Sequence, residues 1–199
     1  MKFTKFETEF LHGLVLGDGH VTKQLRYTQT FGQHAEPFAQ YVYANLRRFC
    51  TDKGFYTYKV RSGKDSPLYQ RWIVTTKTLA MFKYYHDLYY RLNSEGKYIK
   101  ILPENIETIL TPVSFALFLM SDGTFHKTKH IVKLCTNNFT KAEVELLSKA
   151  ILNKFGIESK LEHVRKEQYV LRFRKSVVPQ IQLLVKDHMI PSMMYRIGL

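Results

Sequence analysis

A chain of 199 residues, 45% of them hydrophobic, has the length for one domain or two small ones around a sizeable core, which excludes a disordered polymer. Thirty Lys and Arg against 17 Asp and Glu give a formal charge of +13 spread along the whole chain, so a polyanion is the expected partner. Only Cys50 and Cys135 are present; this excludes a disulfide framework and a cysteine-based zinc site, and both are expected as buried thiols.

The N-terminal stretch MKFTKFETEF alternates charge with aromatics and lacks the roughly 7 to 15 residue apolar segment of a signal peptide, so the expectation is a mature protein made where it works. No long basic amphipathic helix lies beside an exposed apolar face, and a membrane is not an expected partner. The first predicted helix runs from Thr8, a candidate N-cap, to about Gly17 and carries the stretch LHGLVLGDG, Leu11 to Gly19. It is too short for a membrane span, which takes about 20 apolar residues. Gly13 and Gly17, four apart, share one helix face and strip it of side chains, so another helix can approach closely. Asp18 ends this helix, where the macrodipole already gathers negative charge; a divalent cation would compensate. The same residues also read as a buried helix with a Gly C-cap and Asp18 as a turn residue.

After Gly19 the pattern alternates, predicting strands over His20, Thr22 and Gln24 and then Arg26 to Phe31, with one polar face. A helix is expected over about 35–50, from Phe38, Tyr41, Val42, Leu46 and Phe49 at helical spacing. Strands are expected over 55–61 and 68–76 on either side of the turn-like SGKDSP stretch, then a helix over about 77–91. The stretch from 93 to 111, with Asn93, Gly96, Pro103 and Asn105, is the expected linker between units 1–92 and 112–199.

The second half repeats this order. FALFLMSDG, Phe115 to Gly123, is a degenerate second copy ending in Asp122-Gly123, followed by predicted strands over 124–127 and 130–136, a helix over 141–155, strands over 158–165 and 168–174, a helix over 177–185 and a tail. From the acid to the aromatic closing the next helix is 31 residues in one half (18 to 49) and 33 in the other (122 to 155), the mark of a duplicated α/β unit. Two copies of a small-faced helix would pack about a pseudo-twofold axis and bring Asp18 and Asp122 together. Like charges at close range need cations between them. Oxygen ligands without a His or Cys pattern favour Mg²⁺, and the eight histidines form no HxxH arrangement. Two acids, shared metal and a basic surface fit phosphodiester hydrolysis.

LHGLVLGDG and FALFLMSDG together resemble the paired signature helices of the LAGLIDADG homing endonucleases in their single-chain, two-repeat form. TPVSFALFLMSDG and IPSMMYRIGL are similar to the subgroup of monomeric yeast mitochondrial intron endonucleases. The resemblance implies an α+β fold of two pseudo-symmetric αββαββα repeats forming a saddle, with antiparallel sheets facing DNA. It implies that Asp18 and Asp122, with Gly17 and Ser121 beside them, hold two or more Mg²⁺ ions, and that a basic residue from each half, Lys100 and Arg196, supports the cleavage centre. Arg196 departs from the expected lysine; a guanidinium stays charged and cannot act as a base. Leu117 stands where the family has glycine and Ser121 where it has alanine, so a looser helix crossing is expected.

DNA contact is expected from His20, Gln24, Arg26, Thr28, Lys59, Arg61, Arg71, Lys133, Lys160, Arg172 and Arg174, because a two-stranded ribbon fits the major groove. Each of these also reads as a phosphate contact or a solvated charge, and His20 as a plain strand residue. The implied activity is that of a monomeric, site-specific, Mg²⁺-dependent DNA endonuclease that initiates intron mobility, in a mitochondrion or, alternatively, a chloroplast. A second class is an RNA-binding maturase that assists splicing of its own intron. A third, a DNA-binding regulator without catalysis, calls for the loss of an acid, and both acids are present.

Overall fold

Residues 2–61, 63 and 66–199 are described by a computed structural model of the chain. Of the SGKDSP stretch, Ser62, Lys64 and Asp65 lie outside the described residues. Two compact units divide the chain: one takes Phe3–Gly17 together with Asp87–Leu199, the other Asp18–His86.

The unit from Asp18 to His86 holds β1 (His20–Val21), β2 (Tyr27–Phe31), α2 (Glu36–Leu46), β3 (Phe55–Arg61) and β4 (Leu68–Thr75). The strands form one antiparallel sheet in the order β1-β2-β4-β3. Alternation sets its inner face: Tyr27, Gln29, Phe31 and Val74 are buried, with Phe38, Val42, Leu46, Phe49 and Phe82 beneath them. The expected strand through Gln24 stops at Val21. Residues 22–26 are a turn in which Thr22 N–H donates to Arg26 O and Leu25 N–H to Thr22 O, with Leu25 at φ 59°. No glycine or asparagine sits at the turn position, so alternation alone reads straight through it. The helix expected over 35–50 runs Glu36–Leu46 and tightens into a 3₁₀ turn, Arg47–Phe49. Cys50 is buried and its thiol meets Leu46 O at 3.4 Å; burial pushes its pKa up to about 11.

α3 (Lys83–Tyr89) carries the chain from one unit to the other. It is shorter than the predicted 77–91, being preceded by a 3₁₀ turn, Ala80–Phe82, and followed directly by a strand.

The other unit begins with α1 (Lys5–Leu16). Its N-cap is Thr4 and not Thr8: the Thr4 hydroxyl accepts from Glu7 N–H, and the Glu7 carboxylate accepts from Thr4 N–H at 2.7 Å. This capping box turns the expected polar lead-in into the first helical turn. The stretch expected as linker is structured, with β5 (Tyr90–Leu92) paired to β6 (Tyr98–Lys100) and a short α4 (Ile106–Ile109). Then follow α5 (Pro112–Asp122), β7 (Gly123–His126), β8 (Ile131–Cys135), α6 (Lys141–Phe155), β9 (Lys160–Arg165), β10 (Gln168–Phe173) and α7 (Val178–Val185). The second sheet has the order β7-β8-β10-β9, the same topology as the first. The expected tail is a 3₁₀ helix, Pro191–Ile197. Cys135 is half-buried, not buried as expected, because it falls on the outward face of β8.

The two sheets and the helix order on each side of the connector are the two αββαββα repeats. By packing, however, α1 belongs with α5: Phe10, Leu11, Leu14 and Val15 are fully buried, as are Phe115, Leu117 and Leu119. Each such side chain contributes about 1.5–3 kcal/mol when removed from water. Among the described residues no helix is long and apolar enough to cross a membrane.

Candidate active site

The crossing of α1 and α5 is set by glycine. A Cβ at Gly13 would sit 2.4 Å from Ser114 O and 2.6 Å from Leu117 Cβ; one at Gly17 would sit 2.5 Å from Ser121 Cβ and 2.9 Å from Asp122 Oδ2. Leu117 and Ser121, expected to loosen the crossing, fill the notches that the two glycines leave. The crossing is tight because only one of the two helices has to be small there.

Neither helix carries a basic residue in its last turn, so the partial negative charge at each C-terminal end is met from elsewhere. At the end of α1 the Lys100 ammonium, brought in by β6, donates to Val15 O at 2.9 Å and Gly17 O at 2.7 Å. A lysine thus supplies compensation that the sequence alone assigns to a divalent ion. At the end of α5 an Arg196 guanidinium nitrogen donates to Gly123 O at 2.8 Å. Arg196 sits on the C-terminal 3₁₀ helix, its guanidinium 5.3 Å from the Tyr195 ring centroid, and its Nε is buried without a hydrogen-bond partner. The two cations therefore have the same task at corresponding helix ends, 83 and 73 residues from their nearest acceptors in sequence.

Asp122 closes α5 and is half-buried; Asp18 follows Gly17, is exposed, and opens the other unit. The Ser121 hydroxyl is buried without a hydrogen-bond partner, next to where a Gly17 side chain would be. The donors on the α5 side are thus a carboxylate, a hydroxyl and a carbonyl, all oxygen. Among the described residues there is no cluster of three or more His, Cys, Asp or Glu. The all-oxygen donor set is of the kind that suits a hard divalent cation.

Buried in the same unit, His12 Nδ1 lies 2.9 Å from the Tyr89 hydroxyl, and burial lowers its pKa to about 4. It is a satisfied core histidine.

The expected DNA contacts fall in three groups. In the first sheet, His20 pairs with Thr28 across β1 and β2, while Gln24 and Arg26 lie in and after the turn, Arg26 reaching Thr78 Oγ1 at 3.5 Å. The register pairs Thr28 with Thr75, Tyr58 with Arg71 and Lys59 with Gln70, so Thr28 and Arg71 share one face and Lys59 and Arg61 point to the other. Tyr56 and Tyr58, both exposed, share the face of Arg71. In the second sheet Lys133, Arg172 and Lys160 lie in one row across three strands. Glu162, which sequence reasoning passed over, sits among them: Lys133 donates to Oε1, and Arg172 Nε lies 3.9 Å from Oε2. Its i, i+2 spacing from Lys160 on a predicted strand was the available signal. Arg174 lies just beyond β10 and lines a cavity of about 390 Å³ with Lys160, Lys149 and Leu152.

The fold matches a solved structure, the homing endonuclease I-WcaI bound to its DNA recognition sequence, with a TM-score of 0.85 over 99% of this chain and 88% of that one, at 19% identity. The cytochrome b mRNA maturase bI2 of Saccharomyces cerevisiae is 31% identical over 199 residues, 94% of this chain. This chain spans only 46% of that maturase, but 98% of the intron-encoded endonuclease ai4 of Dictyostelium discoideum, to which it is 25% identical over 162 residues. A model of the LAGLIDADG DNA endonuclease family matches residues 8–181, and with that match the chain belongs to this family.

Proposed function

We propose that the chain is a monomeric, site-specific endonuclease that hydrolyses phosphodiesters on both strands of a long DNA site and so initiates intron mobility. The observation that carries the reading is the paired construction: both acids are present, and the carbonyl beside each is held by a cation, Lys100 on Gly17 O and Arg196 on Gly123 O. The +13 charge supports a DNA partner. In this reading residues 1–92 and 112–199 are the two repeats and 93–111 the linker, and each repeat serves one strand.

Asp18 and Asp122, with the Gly17 carbonyl and the Ser121 hydroxyl, would hold Mg²⁺. When bound, the ion supplies water activation and charge neutralisation at the leaving oxygen. Lys100 and Arg196 orient and neutralise the phosphate; of the two only Lys100 can move a proton. The residues of the two sheet faces, Thr28 and Arg71 in one and Lys133, Lys160 and Arg172 in the other, are read as groove contacts, with His20, Gln24, Arg26, Lys59, Arg61 and Arg174 as backbone contacts. Residence in the organelle of synthesis, a mitochondrion, completes the reading.

A second reading, an RNA-binding maturase, has one observation in its favour, the 31% identity to a cytochrome b mRNA maturase over nearly the whole chain. A randomised duplex library incubated with the protein in Mg²⁺, and separately in Ca²⁺ as a binding control, decides between them. One long site cut on both strands in Mg²⁺ alone supports the endonuclease; no cutting, with tight binding of folded intron RNA, supports the maturase.

A further inference from the structure

Glu143, in the first turn of α6, divides its carboxylate between two tasks. Oε2 accepts from Thr140 N–H and from the Thr140 hydroxyl, both at 2.7 Å, completing the capping box of α6. Oε1 accepts from the backbone N–H of Leu102 at 2.8 Å. The cap does not need this second bond, which joins α6 to a buried residue two positions after Lys100. Between them Ile101 N–H donates to Tyr89 O at 2.8 Å. Lys100 thus reaches the end of α1 from a backbone pinned on one side by the β5–β6 pairing and on the other by Glu143. A lysine ammonium at the end of four flexible torsions is placed no better than the backbone that carries it.

The second repeat repeats the device with other residues. Gln182 of α7 donates from Nε2 to Ile197 O at 2.9 Å, the residue after Arg196. Gly198, at φ 81°, lies against Phe125 so closely that a Cβ there would sit 2.6 Å from the ring. In these contacts neither Glu143 nor Gln182 touches an acid or the C-terminal end of α1 or α5, and each bonds the backbone within two residues of one cation.

We propose that Glu143 and Gln182 are positioning residues, Glu143 for Lys100 and Gln182 for Arg196, and that through them the cutting rates of the two DNA strands are set separately. This rests on the endonuclease reading.

The test is single-turnover cleavage of the target duplex with each strand labelled, comparing wild type, E143A, E143Q, Q182A and T140A. E143A is expected to slow one strand roughly tenfold or more, since a misplacement of about 1 Å far from the chemistry can cost up to about a hundredfold. The other strand should stay within about twofold. The slowed strand is the one that K100M slows, and Q182A reverses the bias toward the strand that R196M slows. T140A loses the cap but keeps the Oε1 bond to Leu102, so it lowers thermal stability without shifting the strand ratio. E143Q keeps a residue type competent in a capping box while giving up one of two acceptors, and it carries the test if E143A does not fold; its bias has the same sign and is smaller. Wild-type protein that cuts neither strand ends the endonuclease reading and the positioning role with it. Wild-type cutting with E143A, E143Q and Q182A slowing both strands equally overturns the positioning role alone.

Discussion

At the end of α1 an ammonium reaches two carbonyls, Val15 O and Gly17 O; at the end of α5 a guanidinium reaches one, Gly123 O. The helices differ in the same unequal way: α1 brings the glycines and α5 brings Leu117 and Ser121 to fill them. Duplicated units that pack on each other need not stay identical. Once one helix has given up its side chains at the crossing, the other is free to keep its own. The pseudo-symmetry is one of position, and the groups that fill corresponding positions differ.

The harshest way to probe this comparison is to neutralise each acid. Asp18→Asn and Asp122→Asn are each expected to abolish cleavage, a loss of roughly a thousandfold or more, while DNA binding by gel shift stays within about tenfold of wild type. Full cleavage by either variant would remove that acid from the site. Next come the cations. Lys100→Met is expected to lower single-turnover cleavage about a hundredfold, and Arg196→Met should cost less, because the ammonium holds two carbonyls and the guanidinium one. Equal losses would mean that the two ends act alike after all.

The packing asymmetry is smaller in its expected effect. Gly13→Ala forces a methyl against the Ser114 backbone and should cost about 2–3 kcal/mol by urea unfolding, whereas Ser121→Ala, on the facing helix, removes an unpartnered hydroxyl and should change stability by less than about 1 kcal/mol. A neutral Gly13→Ala would contradict the close crossing.

Smallest at neutral pH is the effect of His12, which only α1 carries. Burial lowers its pKa from 6.5 to about 4, so the unfolded chain binds a proton that the folded one refuses between those values. Its contribution is fully present above about pH 6.5 and is lost as pH falls toward 4, by about 3 kcal/mol. Unfolding of wild type and His12→Gln across pH 7 to 4 checks this: the variant should have the shallower acid limb.

Element order and the repeat were legible because both rest on local signals, the 3.6 and 2.0 periods and the Asp-Gly ends. The turn at Leu25 was not, since a leucine with positive φ carries no turn signal and is held by contacts on either side. Nor was the β5–β6 pairing, whose Asn93 and Gly96 mark a hairpin turn as readily as a linker. At the site, Lys100 and Arg196 came forward through family resemblance; their acceptors could not, because the contacts close loops of 83 residues for Gly17 and 73 for Gly123. The polar strand residues were readable one by one. Which of them share a face needed the register, and that separated Lys59 and Arg61 from Arg71.

The division of the chain also bears on its synthesis. Leu16 ends α1 and Pro112 begins α5, 96 residues later (112 − 16), so at about 5–20 residues per second a ribosome delivers the second helix roughly 5–20 s after the first. Throughout that interval Phe10, Leu11, Leu14 and Val15, all buried in the finished protein, have no α5 to cover them. Nascent chains arrested before residue 112 should lose α1 to protease and bind chaperones through it, and chains arrested well after residue 122 should do neither. The interval between delivery of Leu16 and delivery of α5 is therefore the one in which this apolar face stands open, set by the order of two helices along the message.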